Sequence, residues 1–600
     1  MVERCAIARK TLGLLLPASA DITLPAGDHM KVMFLCTGNS FAPGNGQKMA
    51  KASGASSSIN WHAPAAALLL GLLLPHLLMR LPAAVRGGWL ALLVPSVEAL
   101  LLAAAVGVSA RLWPGGRRVV PPIAAVLAEF LFVFALTDAL LPLFFNRPLA
   151  LATDLGYLPA LFGLMRDTAP RAFFVGGLVL LPLSLAALGC GFARLYAALY
   201  RAAGERHLRQ RVVLLVLLGA CLAAAGAELL PGVRLYGSSS LPRLAEELRS
   251  VLGSRRYVTE RREEFQALAA EEPSVSARVL DRLEGRDVFL FIVESYGYTL
   301  YSEPAHFALA ETFLRRIEAR LEGAGYRIAS SFLSSPAFGG NSWLADSTLA
   351  AGVRIADQAA YEALLESEVK PMGAWFNEAG YRTVNSMPAT TMSWPEGDYY
   401  QFQRKYYYRD FGYRGPNLKW APMTDQFAIG VIHAREVDPA RQPLFVQYVM
   451  ISGHYPFNLI PRLFEVWSEL GDGSVYEREV RVLPIPAGAA TAGAAGYAAA
   501  MEYQLKVVSE YAARFLAGRR ALLVVVGDHQ PYSGITGQGK PRSVPIHVLS
   551  REPAVLEPFL RRGYTPGLVP RQGLPHAGLE SFLPALLEDF SSPVAGGAGR

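Results

Sequence analysis

The sequence is poor in cysteine and in charged residues, and both shortages limit the classes of protein to which it can belong. It has 4 cysteines in 600 residues, and 18% of the residues are charged. The cysteines are Cys5, Cys36, Cys190 and Cys221, so none follows residue 221. A disulfide framework therefore cannot hold the C-terminal part, which must fold around its own core. The formal net charge of +7 comes without a basic DNA-binding motif, so no nucleic-acid partner is expected.

Long apolar runs are abundant, and they are concentrated in the first 235 residues. Hydrophobic residues make up 52% of the chain, which is high for a purely soluble protein. Each run is close to the roughly 20 residues needed to cross a bilayer. The predicted spans are Ala63–Met79, Gly88–Ala110, Val119–Phe145, Ala172–Ala193 and Val212–Leu230.

Basic residues in the connecting loops predict the orientation of these spans. Arginines cluster after the second and the fourth span, whereas the other loops carry fewer of them or carry aspartates as well. Basic loops tend to stay in the cytoplasm, and five spans place the two chain ends on opposite sides. The protein is therefore expected to be a multi-pass protein of the cell (inner) membrane, with everything after Leu230 on the periplasmic or extracellular side.

The pattern changes along the chain and predicts five segments. From Asp287 onwards, apolar strands alternate with helices, which is typical of an α/β domain with a largely parallel central sheet. The predicted segments are an N-terminal extension that is disordered or a misassigned start (1–60), a five-helix transmembrane domain (61–231), an amphipathic linker of short helices (232–285), an exported catalytic domain (286–585) and a flexible tail (586–600).

Three of the predicted strands end in residues that can bind a metal. "DVFLFIVES" ends in Glu294, "FVQYVMISGH" ends in His454, and "LLVVVGDH" ends in Asp528 and His529. Ligands of open α/β sheets bind beyond the carboxyl ends of the strands. Glu294, Asp528 and His529 would form a three-ligand site with an open position for catalysis. The alternative for each of these strand endings, taken alone, is an ordinary polar turn.

A candidate nucleophile lies in the stretch "GGNSWLADSTLAAG". Ser342 stands there at the start of a predicted helix, where free backbone amides and the helix dipole favour an anionic oxygen. A nearby metal would lower the pKa of the serine hydroxyl and activate it for attack. The alternative is a serine that only caps the helix.

Four motifs in this order resemble one known family. "FIVESYG", "GGNSWLADSTLAAG", "SGHYPF" and "VVVGDHQP" resemble the sulfatase-like branch of the alkaline phosphatase superfamily, and within it the lipoteichoic acid synthase and phosphoglycerol transferase family. Five membrane spans followed by an exported catalytic domain is also that family's layout. The resemblance covers about residues 61–585.

The resemblance implies a role for each matching residue. It implies one divalent metal ion, most often manganese in such enzymes, with zinc or magnesium as alternatives. Ser342 takes the position of the nucleophile, where many relatives have threonine, and His454 would contact the phosphoryl oxygens or assist the leaving group. Trp394 and Asn341 would contact the substrate. The implied metal ligands are Glu294, Ser342, Asp528 and His529.

The sequence also departs from its relatives. Glu396 stands two residues after Trp394, where some relatives have arginine, so recognition of the headgroup is expected to differ. The stretch Ser334–Phe338 lacks the arginine of the sulfatase motif, which argues against a formylglycine sulfatase.

The expected function is transfer of a phospholipid headgroup, of phosphoglycerol or phosphoethanolamine type, to an envelope glycan or glycolipid through a phosphoserine intermediate. One alternative is a hydrolase of the same superfamily, acting as a phosphodiesterase or a sulfuric ester hydrolase. A second is an envelope protein that binds without catalysing.

Two further features leave their alternatives open. Four acids lie inside predicted spans, and they could form a headgroup or cation pathway or share interhelical hydrogen bonds. The aromatic stretch Tyr399–Gly415 suits a sugar or lipid headgroup, or packs as a tyrosine-rich loop. The acids are Glu98, Glu129, Asp138 and Glu228.

Overall fold

The computed structural model describes most of the chain from residue 62 onwards. The predicted extension 1–60, the fifth predicted span Val212–Leu230 and Glu228 lie outside the described residues. All described residues fall within one unit, Trp61–Arg600. The described ranges are 62–93, 96–145, 147–158, 171–204, 240–271, 277–419, 421–483 and 490–593, with single residues between 162 and 166.

In the described part of the chain, four long helices occupy the region of the predicted membrane spans. Three stretches of the described chain are long and apolar enough to cross a membrane: Trp89–Leu112, Val120–Pro142 and Arg171–Gly204. The apolar part of the first helix is shorter, Leu73–Val85, and the helix contains Pro75 and Pro82. Five membrane helices are therefore not confirmed. The helices are α1 (His62–Gly87), α2 (Val97–Leu112), α3 (Val120–Phe145) and α4 (Arg171–Gly204).

The linker after the membrane helices is one long helix, α5 (Ser240–Glu271), of 32 residues. The sequence analysis predicts short amphipathic helices in this region. The residues between the two amphipathic patches contain no proline, so the helix continues through Gly253 at a cost of only about 1 kcal/mol.

Acidic residues at the ends of the membrane helices hold the start of α5. A carboxylate oxygen of Glu98 accepts a hydrogen bond from the backbone amide of Ser240, one of the amides that a helix start leaves free. Asp138 lies 3.5 Å from the guanidinium of Arg243. These two acids thus join the helices of the predicted transmembrane domain to the linker. Both lie towards the ends of α2 and α3 that the loop charges predict to be non-cytoplasmic.

The remaining helices belong to the C-terminal domain. Five single helical turns accompany them, Leu151–Asp154 on the membrane side and Thr299–Ser302, Tyr408–Phe411, Ser533–Thr536 and Glu557–Arg561 within the domain. The longer helices are α6 (Pro304–Gly323), α7 (Ser342–Ala351), α8 (Gln358–Leu365), α9 (Met372–Glu378), α10 (Asp425–Ile432), α11 (Ala490–Phe515) and α12 (Phe582–Phe590).

The far end of α5 packs on α7 and α8. Phe265 is fully buried in a cluster with Leu344 and Ala351 of α7. The hydroxyl of Tyr257 donates a hydrogen bond of 2.8 Å to Asp357, which caps α8. The linker therefore connects the membrane helices with the helix that carries Ser342.

Replacing Glu98 with alanine is expected to loosen α5. The change leaves the Ser240 amide without its charged acceptor, a loss of about 1–3 kcal/mol. Limited proteolysis of the detergent-solubilised protein should then cut within 240–271 faster than in wild type. Glu129→Ala is the matched control, because Glu129 faces Gly189 of α4. Equal cleavage in the two variants would contradict the proposed role of Glu98.

The strands of the described residues are β1 (Ala277–Arg278), β2 (Asp287–Val293), β3 (Arg327–Ser334), β4 (Arg382–Met387), β5 (Arg404–Tyr407), β6 (Leu444–Val449), β7 (Leu459–Pro461), β8 (Val480–Val482), β9 (Ala521–Gly527), β10 (Ser543–Ser550), β11 (Thr565–Pro566) and β12 (Ser592–Pro593). Eight of them form the central sheet, in the order β11-β3-β10-β9-β2-β6-β4-β5. The five neighbouring strands β9, β2, β6, β4 and β5 are mutually parallel, as predicted.

The other side of the sheet corrects the expectation of a largely parallel arrangement. β10, the predicted strand "VPIHVLS", is antiparallel to both β9 and β3, and β11 is antiparallel to β3. The connection from β9 to β10 contains one helical turn rather than a full crossover helix. Because a parallel return needs such a crossover, the chain comes back antiparallel and the sheet is mixed.

Helices cover both faces of the sheet, so every residue of β2 and β9 is buried and nearly all of them are apolar. Alternate residues of β2 enter opposite cores. Phe289 and Phe291 pack in the core that contains α6 and α11, whereas Leu290 and Ile292 pack in the core that contains α7 and α9.

The folded domain extends beyond both predicted boundaries. The predicted tail 586–600 begins inside α12, whose Leu586 and Phe590 are buried in the core. β12 then pairs with β1. The domain therefore includes Ala277–Arg278 at its start and reaches Pro593 at its end.

Candidate active site

The parallel pairing of β2 with β9 places two candidate ligands side by side. Val293 is the partner of Gly527 in this pair, so the next residues, Glu294 and Asp528, leave the sheet at the same edge. A side chain at Gly527 would collide with the carbonyl oxygen of Tyr296, so glycine is needed for this close approach. In the "GDH" motif, the glycine is therefore needed for steric reasons, and the aspartate and the histidine are possible metal ligands.

Glu294, Asp528 and His529 converge at this edge. The Nε2 atom of His529 lies 3.4 Å from Asp528 Oδ2 and 3.7 Å from Glu294 Oε1. One ligand atom of each residue lies within 4.8 Å of the others, and the three side chains are 2–5% exposed. Two carboxylates and an imidazole at this spacing fit a divalent cation.

Neighbouring groups orient each candidate ligand. Asp528 Oδ1 accepts hydrogen bonds from the amides of Ser295 (2.8 Å) and His529 (2.6 Å), which leaves Oδ2 facing the site. The Nδ1 of His529 lies 2.8 Å from the carbonyl oxygen of Gln530, which assigns its proton to Nδ1 and leaves the Nε2 lone pair available. The Ser295 hydroxyl donates to Glu294 Oε1 at 2.7 Å.

Two buried carboxylates and one buried imidazole determine the electrostatics of this cluster. Burial raises the pKa of Asp528 above its ordinary value, and the negative charge of Glu294 raises it further. Burial disfavours the imidazolium form of His529, but the charges of Asp528 and Glu294 outweigh this effect and raise its pKa. Both shifts have the direction expected of a site whose negative potential a cation would relieve.

Ser342 faces this cluster from the start of α7. Its Oγ lies 3.2 Å from His529 Nε2. Asn341 occupies the N-cap position, with φ of +61°, and its side chain makes no capping hydrogen bond. Because Asn341 provides the left-handed turn, Ser342 is the first helical residue and its hydroxyl points to the ligands rather than capping the helix.

His454 lies on the loop after β6 at the same edge of the sheet. A side chain at the preceding Gly453 would lie 2.7 Å from the carbonyl oxygen of Glu294, so the two loops touch. The carboxylate of Asp425 accepts hydrogen bonds from the amides of Ile451 (2.7 Å) and Ser452 (3.1 Å) and so shapes this loop. Burial raises the pKa of Asp425 to about 6.

Trp394 lies beside the helix that carries Ser342. Its ring is 5.3 Å from that of Tyr400, whose hydroxyl lies 2.7 Å from Ser347 Oγ of α7. Part of the predicted aromatic stretch Tyr399–Gly415 therefore packs against α7, while Trp394 remains half-buried.

Several residues of this region were missed in the sequence analysis. Asp346 stands one helical turn after Ser342 on α7, and this spacing of four was the only signal for it. Gln504 donates a hydrogen bond of 3.1 Å to the Glu294 carbonyl from α11, more than two hundred residues away. No local pattern could reveal that contact.

Comparison with known proteins gives similarity at the level of structure. No family model matches the sequence, and no curated protein matches it significantly. The solved structures that it resembles include the lipoteichoic acid synthase LtaP from Listeria monocytogenes, with 12% identity and a TM-score of 0.31, over 44% of this chain and 65% of that one. This match thus spans less than two thirds of LtaP.

Two further solved structures are similar. One is the Streptococcus pyogenes phosphoglycerol transferase GacH in complex with sn-glycerol-1-phosphate, with 12% identity, a TM-score of 0.32 and coverage of 49% of this chain and 75% of that one. The other is a phosphonate monoester hydrolase of Agrobacterium radiobacter, with 13% identity, a TM-score of 0.30 and coverage of 50% and 77%. The chemistry proposed below rests on the site itself.

Proposed function

We propose that the protein is a membrane-anchored, metal-dependent phosphotransferase. It would move a phospholipid headgroup to an envelope glycan or glycolipid through a covalent intermediate on Ser342. The observation that carries this proposal is the hydroxyl of Ser342, placed 3.2 Å from His529 and facing two buried carboxylates. A hydroxyl at this position can both approach a cation and attack phosphorus.

Each side chain has a distinct task in this reaction. Glu294, Asp528 and His529 would hold one divalent ion, with manganese favoured by the resemblance. When bound, this ion supplies positive charge that lowers the pKa of the serine hydroxyl and stabilises the phosphoryl oxygens. Ser342 would lose its hydroxyl proton to solvent, and its Oγ would bond to phosphorus while the bond to the diacylglycerol oxygen breaks and His454 gives that oxygen a proton. The oxygen of an acceptor hydroxyl would then bond to phosphorus as the bond to Ser342 Oγ breaks. The acceptor proton would return to His454, and Ser342 Oγ would take a proton from solvent.

The placement of the site near the membrane helices supports a lipid donor. Ser533, four residues after His529, donates a hydrogen bond of 3.1 Å to the carbonyl oxygen of Pro142 near the end of α3. This contact supports our proposal that the site lies at the outer surface of the cell membrane, on the side that the loop charges predict to be non-cytoplasmic. A donor headgroup would be within reach there without leaving the bilayer.

Mass spectrometry of the intact full-length protein tests this function. The purified protein in lipid nanodiscs with Mn²⁺ is expected to gain the mass of a phosphorylated headgroup on Ser342 and to release diacylglycerol. A glycolipid acceptor should then remove the adduct and carry the headgroup.

The outcomes separate the proposed transferase from its rivals. Release of free headgroup, with no acceptor product, would make the protein a hydrolase. Absence of any adduct or turnover with every phospholipid tested, despite Mn²⁺ binding, would contradict the proposed function altogether.

A further inference from the structure

Asp346, beside the candidate nucleophile, has one buried carboxylate oxygen without a hydrogen-bond partner among the described residues. It stands one turn after Ser342 on α7, so both side chains lie on the same face of the helix. The residue as a whole is partly exposed, but its Oδ1 is buried and has no hydrogen-bond partner among the described residues. A buried carboxylate oxygen left unpaired by the protein is costly, which suggests that a ligand completes it.

The surroundings of Asp346 are negative on one side and aromatic on the other. Burial, together with the charges of Asp528 and Glu294, raises the pKa of Asp346 well above its ordinary value. The negative charge of Asp346 in turn raises the pKa of Tyr361 and of Tyr400. Along α7, Asp346 stands between Ser342 and Ser347, whose Oγ lies 2.7 Å from the Tyr400 hydroxyl.

These aromatic side chains form a connected group. The hydroxyl of Tyr361 hydrogen-bonds to the side chains of Trp394 and Tyr400, and Trp394 and Tyr400 pack with their rings 5.3 Å apart. The hydroxyl of Tyr400 is tied to α7 through Ser347 at 2.7 Å. Aromatic faces beside a carboxylate are the surroundings that a substituted ammonium group prefers.

The charged groups at this place are acidic. The negative charge of Glu396 also raises the pKa of Tyr361. Glu396 itself has no basic partner among the described residues. Lys405, in the following strand β5, is paired with Asp398. A glycerol headgroup would gain nothing from this surplus of negative charge, whereas an amine would neutralise it.

We propose that Asp346 and Glu396, with the rings of Tyr361 and Trp394, form a subsite for the positively charged amine of the donor headgroup. This inference rests on the proposed function and narrows it: the donor is an amine-bearing phospholipid of the ethanolamine type. Four residues of helix, a rise of about 6 Å, separate Asp346 from Ser342 along α7. That spacing suits a headgroup whose phosphate reaches the serine while its amine reaches the aspartate.

The test measures the rate of adduct formation on Ser342 in the full-length protein with Mn²⁺. Nanodiscs contain either phosphatidylethanolamine or phosphatidylglycerol, and the adduct mass identifies the headgroup. Wild type is expected to react about tenfold faster with phosphatidylethanolamine. Asp346→Asn should slow that reaction about 10- to 100-fold, as expected for loss of a charged hydrogen bond, and should change the phosphatidylglycerol reaction little.

Three comparisons complete this test. Glu396→Gln should have a smaller effect in the same direction, because Glu396 is exposed. Glu362→Gln, which removes an exposed carboxylate from α8, should leave both rates unchanged. The affinity for Mn²⁺ should be the same in Asp346→Asn as in wild type, because Asp346 is assigned to the headgroup and not to the metal.

Two results would overturn the subsite while leaving the proposed function intact. One is an adduct that forms equally fast or faster from phosphatidylglycerol in wild type. The other is a loss of Mn²⁺ affinity of about tenfold or more in Asp346→Asn, which would assign Asp346 to the metal site. Absence of an adduct with either lipid would instead count against the proposed function.

Discussion

Replacing Ser342 with alanine is expected to reduce headgroup transfer by about 10⁴-fold or more. The variant lacks the oxygen that bonds to phosphorus, and no other hydroxyl is placed 3.2 Å from His529 Nε2 among the described residues. Removing this small polar group should leave the thermal midpoint and the Mn²⁺ affinity close to those of wild type. The measurement is turnover of a fluorescent phospholipid, with manganese binding followed in parallel by calorimetry.

Ser342→Thr is the matched control for this variant. Threonine retains the hydroxyl, so its activity is expected to stay within about tenfold of wild type. Wild-type turnover in Ser342→Ala, or equal loss in both variants with intact folding, would show that the hydroxyl is not the nucleophile.

Replacing Asp528 with asparagine is expected to weaken Mn²⁺ binding by about 100-fold or more, because a directly coordinating carboxylate contributes more than the outer groups that orient it. The metal-free variant should be at least as stable as wild type, since the change removes one of two buried carboxylates that repel each other. Its melting temperature should therefore no longer rise on addition of Mn²⁺.

Asp472→Asn provides the comparison, because it removes an exposed carboxylate of the same domain. It is expected to keep the full stabilisation by Mn²⁺. If Asp528→Asn showed the same metal-induced rise as this control, Asp528 could not be a ligand.

The edge of the sheet could be predicted because its signal is local. Seven buried residues in β2 and seven in β9 leave an apolar run in the sequence, and each run ends at a polar residue. The carboxyl ends of parallel strands lie at the same edge of a sheet, so the sequence predicts that Glu294 and Asp528 meet there. The start of α7 at Ser342 follows in the same way from the glycines and the asparagine before it.

Other features depend on long-range packing and could not be derived from the pattern. The antiparallel course of β10 follows from what connects it to β9. The hydrogen bond between Glu98 and Ser240 joins residues 142 positions apart, so the sequence revealed only an acid in an apolar span. Asp346 appeared as one polar residue in a helix, and only its surroundings distinguish it.

Anomalous diffraction at the manganese absorption edge, from crystals of the full chain grown with Mn²⁺, tests the central arrangement most directly. The account predicts one strong peak coordinated by Glu294, Asp528 and His529, with Ser342 Oγ facing it. A peak elsewhere in the chain, with these three side chains empty at saturating Mn²⁺, would contradict it.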